Sequence, residues 1–237
     1  MSVGRTNRNR WNPLQPLGYP NTVRLAYHVM SSPLGLLFLA RSEKGLRYLE
    51  FMDRRSLKRT IAGHESTDPG ATWEPSLLEL KPVVEQLENY FSGMLTRFDV
   101  ALDPDGTAFQ HAVWGALLVI PYAETRSYGE VARVIGQPRA ARAVGLANNQ
   151  NPIAIVVPCH RVIGAGGSLV GYGGGMQRKK WLLDHEARFA RLEAREAAEN
   201  RPRGATKPAA RPTSRPGARA ASKSTTVGRG STRRHPR

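Results

Sequence analysis

The run Ile153-Ala-Ile-Val-Val157 constrains this chain more than any other stretch, because Pro152 and Pro158 close it on both sides. It is far shorter than the ~20 apolar residues of a membrane-spanning helix. Its β-branched content reads as a buried strand. Proline interrupts strand pairing, so Cys159 is expected where that strand leaves its sheet. Leu34–Ala40 is the other long apolar stretch and is also of strand length. An integral membrane protein is therefore excluded, and no membrane partner is expected.

Cys159 is the only cysteine in 237 residues. One thiol cannot form an internal disulfide or a Cys-rich metal site. The histidines at His28, His64 and His111 are scattered, so no metal site is read. No nucleotide or flavin fingerprint appears, and no cofactor is expected. The N-terminus is polar and basic (Arg5, Arg8, Arg10) with no apolar run after it. A cytoplasmic location is the expectation.

Charge is unevenly spread. The chain carries a formal net +16, and residues 201–237 supply eleven Lys/Arg without one Asp or Glu, leaving +5 on residues 1–200. That excess points to a polyanion, with nucleic acid first. The Pro/Gly/Ala/Arg-rich tail cannot bury enough apolar surface to offset its ordering entropy, so it is expected to be disordered. Weak, non-specific phosphate binding is one use for it, and solubility is the plainer one.

Between the ends, two pieces emerge. Strands are expected at Val23–Val29, Gly35–Ala40 and Leu46–Phe51. Ser42-Glu-Lys-Gly45 is the turn between the last two, with Gly45 supplying positive φ. Leu77, Leu80, Val84, Leu87 and Phe91 recur at helical spacing, and Gly93 can stop that helix. Phe98–Leu102 reads as a further strand, and Asp103-Pro-Asp-Gly106 as a turn between domains. The second piece opens with a helix near Ala108–Leu118. Ser127 and Glu130 then form a capping box for a short helix ending at Gly136. Pro138 suits the first turn of the next helix, which would carry Arg139 and Arg142 among alanines. Two short helices joined at Gly136-Gln137 spell helix-turn-helix, whose arginines reach phosphates or bases, or else a plain helical hairpin with solvated arginines. The resulting domains are an arm at 1–21, an α/β domain at 22–103, a site-bearing domain at 104–190 and a basic tail at 191–237.

A lone cysteine is usually an inert buried residue. Here His160 follows directly and can take the thiol proton. Neighbours on an extended chain face opposite ways, so contact needs a bridging water or a bent backbone. Glu186, on a final helix from about Arg178, could orient His160 and complete a nucleophile–base–orienter relay. Gly171-Tyr-Gly-Gly-Gly175 is a flexible loop able to wrap a flat ligand.

Pro158-Cys159-His160-Arg161-Val162, preceded by Asn151-Pro152, closely resembles the active-site signature of O6-alkylguanine-DNA alkyltransferases, the methylated-DNA–protein-cysteine methyltransferases. The likeness extends through Phe109 and Trp114, Ser127-Tyr128-Gly129, Pro138 to Gly145, Gly171-Tyr172 and Lys180 to Glu186. Ser32-Pro-Leu-Gly-Leu-Leu37 and Gly45 to Phe51 resemble the family's first domain more loosely. The likeness is nearest the bacterial constitutive type. It implies an α+β protein. A small N-terminal α/β domain with a short antiparallel, ribonuclease-H-like sheet would precede a mainly helical domain with the helix-turn-helix.

The resemblance implies a role for each matching residue. Cys159 would take an alkyl group from O6 of guanine, and from O4 of thymine, in one irreversible turnover. His160 would act through a water as base, held by Glu186. Tyr128 would push the 3′ phosphate and protonate the guanine ring. Arg142 would enter the stack in place of a flipped nucleotide, from the minor groove of double-stranded DNA. Arg139, Gln137 and Gly129 would touch the DNA backbone. Asn151 would link helix to active-site strand. The Val157 and Cys159 carbonyls and the Tyr172 amide would read the base. Gly173 stands where some relatives carry a serine, which removes one possible contact to O6. The resemblance leaves the protein a monomer. A non-enzymatic sensor of alkylated DNA is the main alternative, and a Cys-His hydrolase or a sequence-specific regulator are others.

Overall fold

The computed structural model describes residues 23–52 and 56–199. The arm at 1–21 and the tail from 200 onward lie outside the described residues. Strands β1 (Arg24–Ser32), β2 (Gly35–Arg41) and β3 (Leu46–Phe51) form an antiparallel meander. Ser32 pairs with Gly35 across a two-residue turn. The Ser32 hydroxyl donates to the Gly35 carbonyl at 2.6 Å and accepts from Leu34 N–H at 3.1 Å. Gly35 sits at φ 101°, a conformation that favours glycine.

Gly45 differs from expectation. It does not adopt positive φ, and the loop is closed by Ser42 N–H donating to the Gly45 carbonyl at 2.9 Å. Close approach is what demands glycine here, since a Cβ would stand 2.5 Å from the Ala101 carbonyl oxygen.

Two elements carried no clear sequence signal. Helix α1 (Leu57–Gly63) is capped by Ser56 and packs the partly buried Leu57 and Ile61 against the cluster that holds Phe38 and Tyr48. Strand β4 (Thr72–Pro75) then pairs parallel with β1, so the sheet runs β3-β2-β1-β4 and is mixed rather than wholly antiparallel. Helix α2 (Leu77–Phe91), capped by Ser76 and stopped at Gly93 (φ 79°), covers the other face with Leu80, Val83, Leu87 and Tyr90. Each such leucine stabilises the fold by about 1.5–3 kcal/mol.

Phe98–Leu102 is not a strand. It contributes one bridge to the outer edge of β3, where Leu46 N–H donates to Ala101 at 2.8 Å. The same edge takes a second visitor further along. Leu49 N–H donates to Pro152 at 2.9 Å, and Ala154 N–H donates back to Leu49 at 2.8 Å.

The second half is mainly helical. Helix α3 (Ala108–Leu118) opens on a Thr107–Gln110 capping box. Helix α4 (Tyr128–Val134) opens on the expected Ser127–Glu130 box and closes at Gly136, φ 73°. Helix α5 (Ala141–Asn149) begins later than expected. Pro138 and Arg139 lie in the turn before it and not in its first turn. Trp114 Nε1 of α3 donates to the Ala147 carbonyl of α5 at 3.0 Å. Helix α6 (Met176–Glu199) runs well past residue 190, where the tail was expected to begin. Its Ala, Glu, Arg and Leu content is strongly helix-forming, which explains the extension. Among the described residues no helix is long and apolar enough to cross a membrane.

Candidate active site

The segment before Cys159 is not the strand its Ile/Val content suggested. Beyond the single bridge to Leu49 it turns twice within six residues. Val156 N–H donates to Ala154 at 2.8 Å around Ile155, which sits at φ 70°, and Cys159 N–H donates to Val157 at 2.8 Å around Pro158 at φ −81°, ψ 61°. The second is the common inverse γ-turn, and the first holds a β-branched residue where about 1–3 kcal/mol of strain is typical. Burial of Ile153, Ile155, Val156 and Val157 keeps the turns in place. A 3₁₀ turn follows over Cys159–Arg161. Strand β6 (Val162–Ile163) then pairs parallel with β5 (Arg126–Ser127), which sets the start of α4 beside the cysteine segment.

Asn151 organises the thiol. Its Nδ2 donates to the Cys159 sulfur at 3.0 Å and to the Val157 carbonyl at 2.9 Å, while its Oδ1 accepts from Ile153 N–H at 3.0 Å. Burial pushes the thiol up to about 11, against the pull of the Asn151 donor and the Lys179 charge. At rest the sulfur is protonated. The Cys159 carbonyl already accepts from Asn148 Nδ2 at 3.3 Å and from Val162 N–H.

Glu186 is the hub behind it. The fully buried His160 sets Nε2 2.9 Å from Glu186 Oε1, as expected. Three further donors had no place in the sequence reading. Arg161 donates from Nε to Oε2 at 3.0 Å and from Nη2 to Oε1 at 2.9 Å. Tyr90 Oη donates to Oε1 at 2.9 Å. Ala123 N–H donates to Oε2 at 3.0 Å from a left-handed backbone at φ 61°. Burial opposes ionisation of Glu186, yet the hydrogen bonds from His160 and Arg161 overcome it and hold the carboxyl well below its ordinary range. Burial keeps His160 neutral. A neutral ring that donates from Nε2 leaves a lone pair on Nδ1, which is buried without a hydrogen-bond partner among the described residues.

A pocket of about 170 Å³ opens onto Cys159, lined by Asn148, Asn149, Asn151, Tyr172, Gly173 and Gly174, with Glu50 and Phe51 from β3. Tyr172 is buried at its floor, and Gly173 is exposed at its lip. Lys179 on α6 secures the loop around it. Its buried Nζ donates to the carbonyls of Val162 (2.5 Å), Val170 (2.8 Å) and Gly171 (3.3 Å). Burial lowers its pKa to about 8, and the nearby Cys159 works the other way. Tyr128 Oη donates to Val170 at 3.1 Å, so the first residue of α4 reaches the same loop. Burial raises the Tyr128 hydroxyl's pKa, as does the Cys159 charge.

Arg142 lies exposed on α5, and Arg139 and Gln137 lie exposed in the turn before it. Gly129 sits in the first turn of α4, its carbonyl accepting from Arg133 Nε at 3.3 Å. These four lie away from the thiol's hydrogen-bonded shell, on the α4–α5 surface.

Arg161 and Lys179 could have been found. Arg161 interrupts an apolar stretch from Val156 to Ile163, where a charge needs a buried partner. Lys179 falls in phase with Leu182 and Glu186 on the inward face of α6, unlike Arg178 and Lys180 beside it. Tyr90 and Ala123 carry no comparable mark.

The architecture is thus an α+β protein holding one buried thiol beside a carboxylate-anchored imidazole. Two family models cover it: the ribonuclease-like domain of 6-O-methylguanine DNA methyltransferase matches residues 25–104, and its DNA binding domain matches residues 108–188. The methylated-DNA–protein-cysteine methyltransferase of Methanosarcina acetivorans is 49% identical over 160 residues, spanning 68% of this chain and 97% of that one. The crystal structure of Mycobacterium tuberculosis O6-methylguanine methyltransferase aligns with TM-score 0.61 at 50% identity, covering 69% of this chain and 93% of that one. A structure of Mycobacterium tuberculosis OGT in complex with DNA aligns with TM-score 0.59 at 49% identity, over 70% and 94% of the two chains. The chain belongs to the methylated-DNA–protein-cysteine methyltransferase family.

Proposed function

We propose that this protein repairs alkylated DNA by direct reversal, moving the alkyl carbon from O6 of guanine, and from O4 of thymine, onto its own Cys159. The observation that carries the reading is the chain's one thiol, followed directly by an imidazole whose Nε2 is tied to Glu186 and whose Nδ1 is free to take a proton. The thiol proton passes to His160 through a water. The sulfur–carbon bond forms as the carbon–O6 bond breaks, and the electron pair stays on the base. Tyr128 supplies the proton that neutralises the departing guanine and is itself reprotonated from solvent, while His160 gives up the Cys159 proton to solvent, so protons and charge balance. Asn151 Nδ2 stabilises the sulfur as its charge develops. A thioether is not reversed by thiol exchange, and no second cysteine exists to attack it, so each molecule acts once.

The reacting carbon lies inside the duplex stack, so the nucleotide turns out, at a cost of a few kcal/mol. Helices α4 and α5 serve as the helix-turn-helix. Arg142 fills the gap, and Arg139, Gln137 and Gly129 meet the backbone. The small residues Ala141, Ala143 and Gly145 suit a minor groove about 6 Å wide. The pocket receives the base against Tyr172, Gly173 and the Val157 carbonyl. The protein acts as a monomer in the cytoplasm.

A thiol pushed up to about 11 favours a second reading, a sensor that binds the lesion without reacting. Intact mass after mixing with a duplex carrying one O6-methylguanine separates the two. The expected result is one methyl on Cys159 with repair stopping at one equivalent. Tight lesion binding without mass gain would establish the sensor instead.

A further inference from the structure

The pocket in front of Cys159 has a wall that comes from the opposite half of the chain. Phe51, the last residue of β3, lines it together with Gly174. The ring is held by two contacts. A Cβ on Gly174 would stand 2.8 Å from two of its ring carbons, so the ring abuts bare loop backbone. The Arg178 guanidinium lies over the ring at 4.4 Å. Arg178 in turn donates from Nη1 to the Gly174 carbonyl and from Nε to the Leu34 carbonyl, both at 3.1 Å. Ring, glycine loop and β1–β2 turn are bound into one assembly. β3 itself is hydrogen-bonded through Leu49 to Pro152 and Ala154, a few residues before the nucleophile. Phe51 and the segment leading to Cys159 are thus tied to the same strand.

We infer that Phe51 is a specificity-determining residue: it limits the size of the alkyl group that Cys159 accepts, so the N-terminal sheet sets the substrate range. The inference rests on the transfer reading above. A pocket of about 170 Å³ leaves little room beside a purine for a large substituent. The phenylalanine side chain is itself a benzyl group, so truncating it frees the volume that an O6-benzyl substituent would occupy. Packing of this kind discriminates between substrates by about tenfold or more.

The test compares two duplexes of one sequence, carrying one O6-methylguanine or one O6-benzylguanine, against wild type, Phe51→Leu and Phe51→Ala. The readout is the rate of mass gain on Cys159, expressed as the ratio of benzyl to methyl transfer. The ratio is expected to rise about tenfold or more in Phe51→Ala and by a smaller factor in Phe51→Leu, which keeps most of the packing if the alanine variant does not fold. Because both substrates sit in the same duplex, loosening of the loop or weaker DNA binding slows both and leaves the ratio in place. An unchanged ratio in Phe51→Leu, with both rates falling together, overturns the inference while leaving the transfer reading standing. Absence of any mass gain in wild type overturns the transfer reading, and this inference with it.

Discussion

Arg161 grips Glu186 with a two-pronged fork, Nε to Oε2 at 3.0 Å and Nη2 to Oε1 at 2.9 Å, while Glu186 Oε1 also holds His160. Two parallel charge-assisted bonds fix the carboxylate in plane as well as in place. The ring of His160 inherits that orientation, and its proton stays on Nε2.

Glu186→Gln removes the charge and leaves Arg161 buried without its counter-ion. Stability is expected to fall by about 3–5 kcal/mol in urea titration. Transfer to Cys159, measured well below the melting temperature, is expected to fall by about 10²-fold or more. The folded Glu186 carboxyl lies near 2 against 4.5 in the unfolded chain, so its contribution is fully present above about 4.5 and is lost as pH falls toward about 2. The wild-type urea midpoint should decline through that window, and the Glu186→Gln midpoint should decline less. Parallel pH profiles would assign the acid sensitivity to other carboxyls.

The thiol makes a second case. A group at about 11 is almost wholly protonated at neutral pH. Alkylation of Cys159 by iodoacetamide, without DNA, should therefore rise about tenfold per pH unit through pH 9 with no plateau below about pH 10. Asn151→Ala removes a donor to the sulfur and should slow the reaction further at every pH. A plateau near pH 7 would mean that the thiolate is already formed at rest.

Arg142→Ala separates DNA handling from chemistry. Reaction with a lesion in duplex DNA should drop by about tenfold or more, because the gap in the stack loses its filler. Reaction with free O6-benzylguanine should be little changed, since Arg142 is exposed on α5. Equal losses on both substrates would count against a role in turning the nucleotide out.

Two adjacent glycines should respond differently to a methyl group. At Gly174 the added carbon would meet the Tyr172 ring at 2.6 Å and the Phe51 ring at 2.8 Å, both buried. At Gly173 it would meet the Asn149 carbonyl at 3.1 Å, at the pocket's lip. Gly174→Ala is expected to cost about 1–3 kcal/mol in thermal or urea unfolding. Gly173→Ala is expected to cost less than half as much. A reversal of that order would mean that the glycine loop moves freely of β3.

Much of this protein is legible where the code is local. Ser127 and Glu130 cap their helix with side chains three residues apart, and α2 announces itself by the spacing of Leu80, Leu87 and Phe91. His160 and Glu186 were expected to meet, and they do. The failures are non-local. Ile153–Val157 has strand composition, but its pairing partner is the edge of β3, which offers it one bridge before Pro158 turns the chain away. β4 is short, and its parallel partner lies some fifty residues earlier. Tyr90 and Ala123 reach Glu186 from two separate elements, and no spacing rule connects them to it.

The outer edge of β3 is closed by Ala101 and Asp103 near Leu46 and by Pro152 and Ala154 around Leu49. An uncovered strand edge is a template for another strand. The hydrogen bonds that seat the Cys159 segment therefore also cover that edge. If that segment were pulled loose, the sheet would expose unpaired backbone groups, and aggregation would compete with refolding. The seating of Cys159 and the protection of the sheet's edge hang on the same few amides.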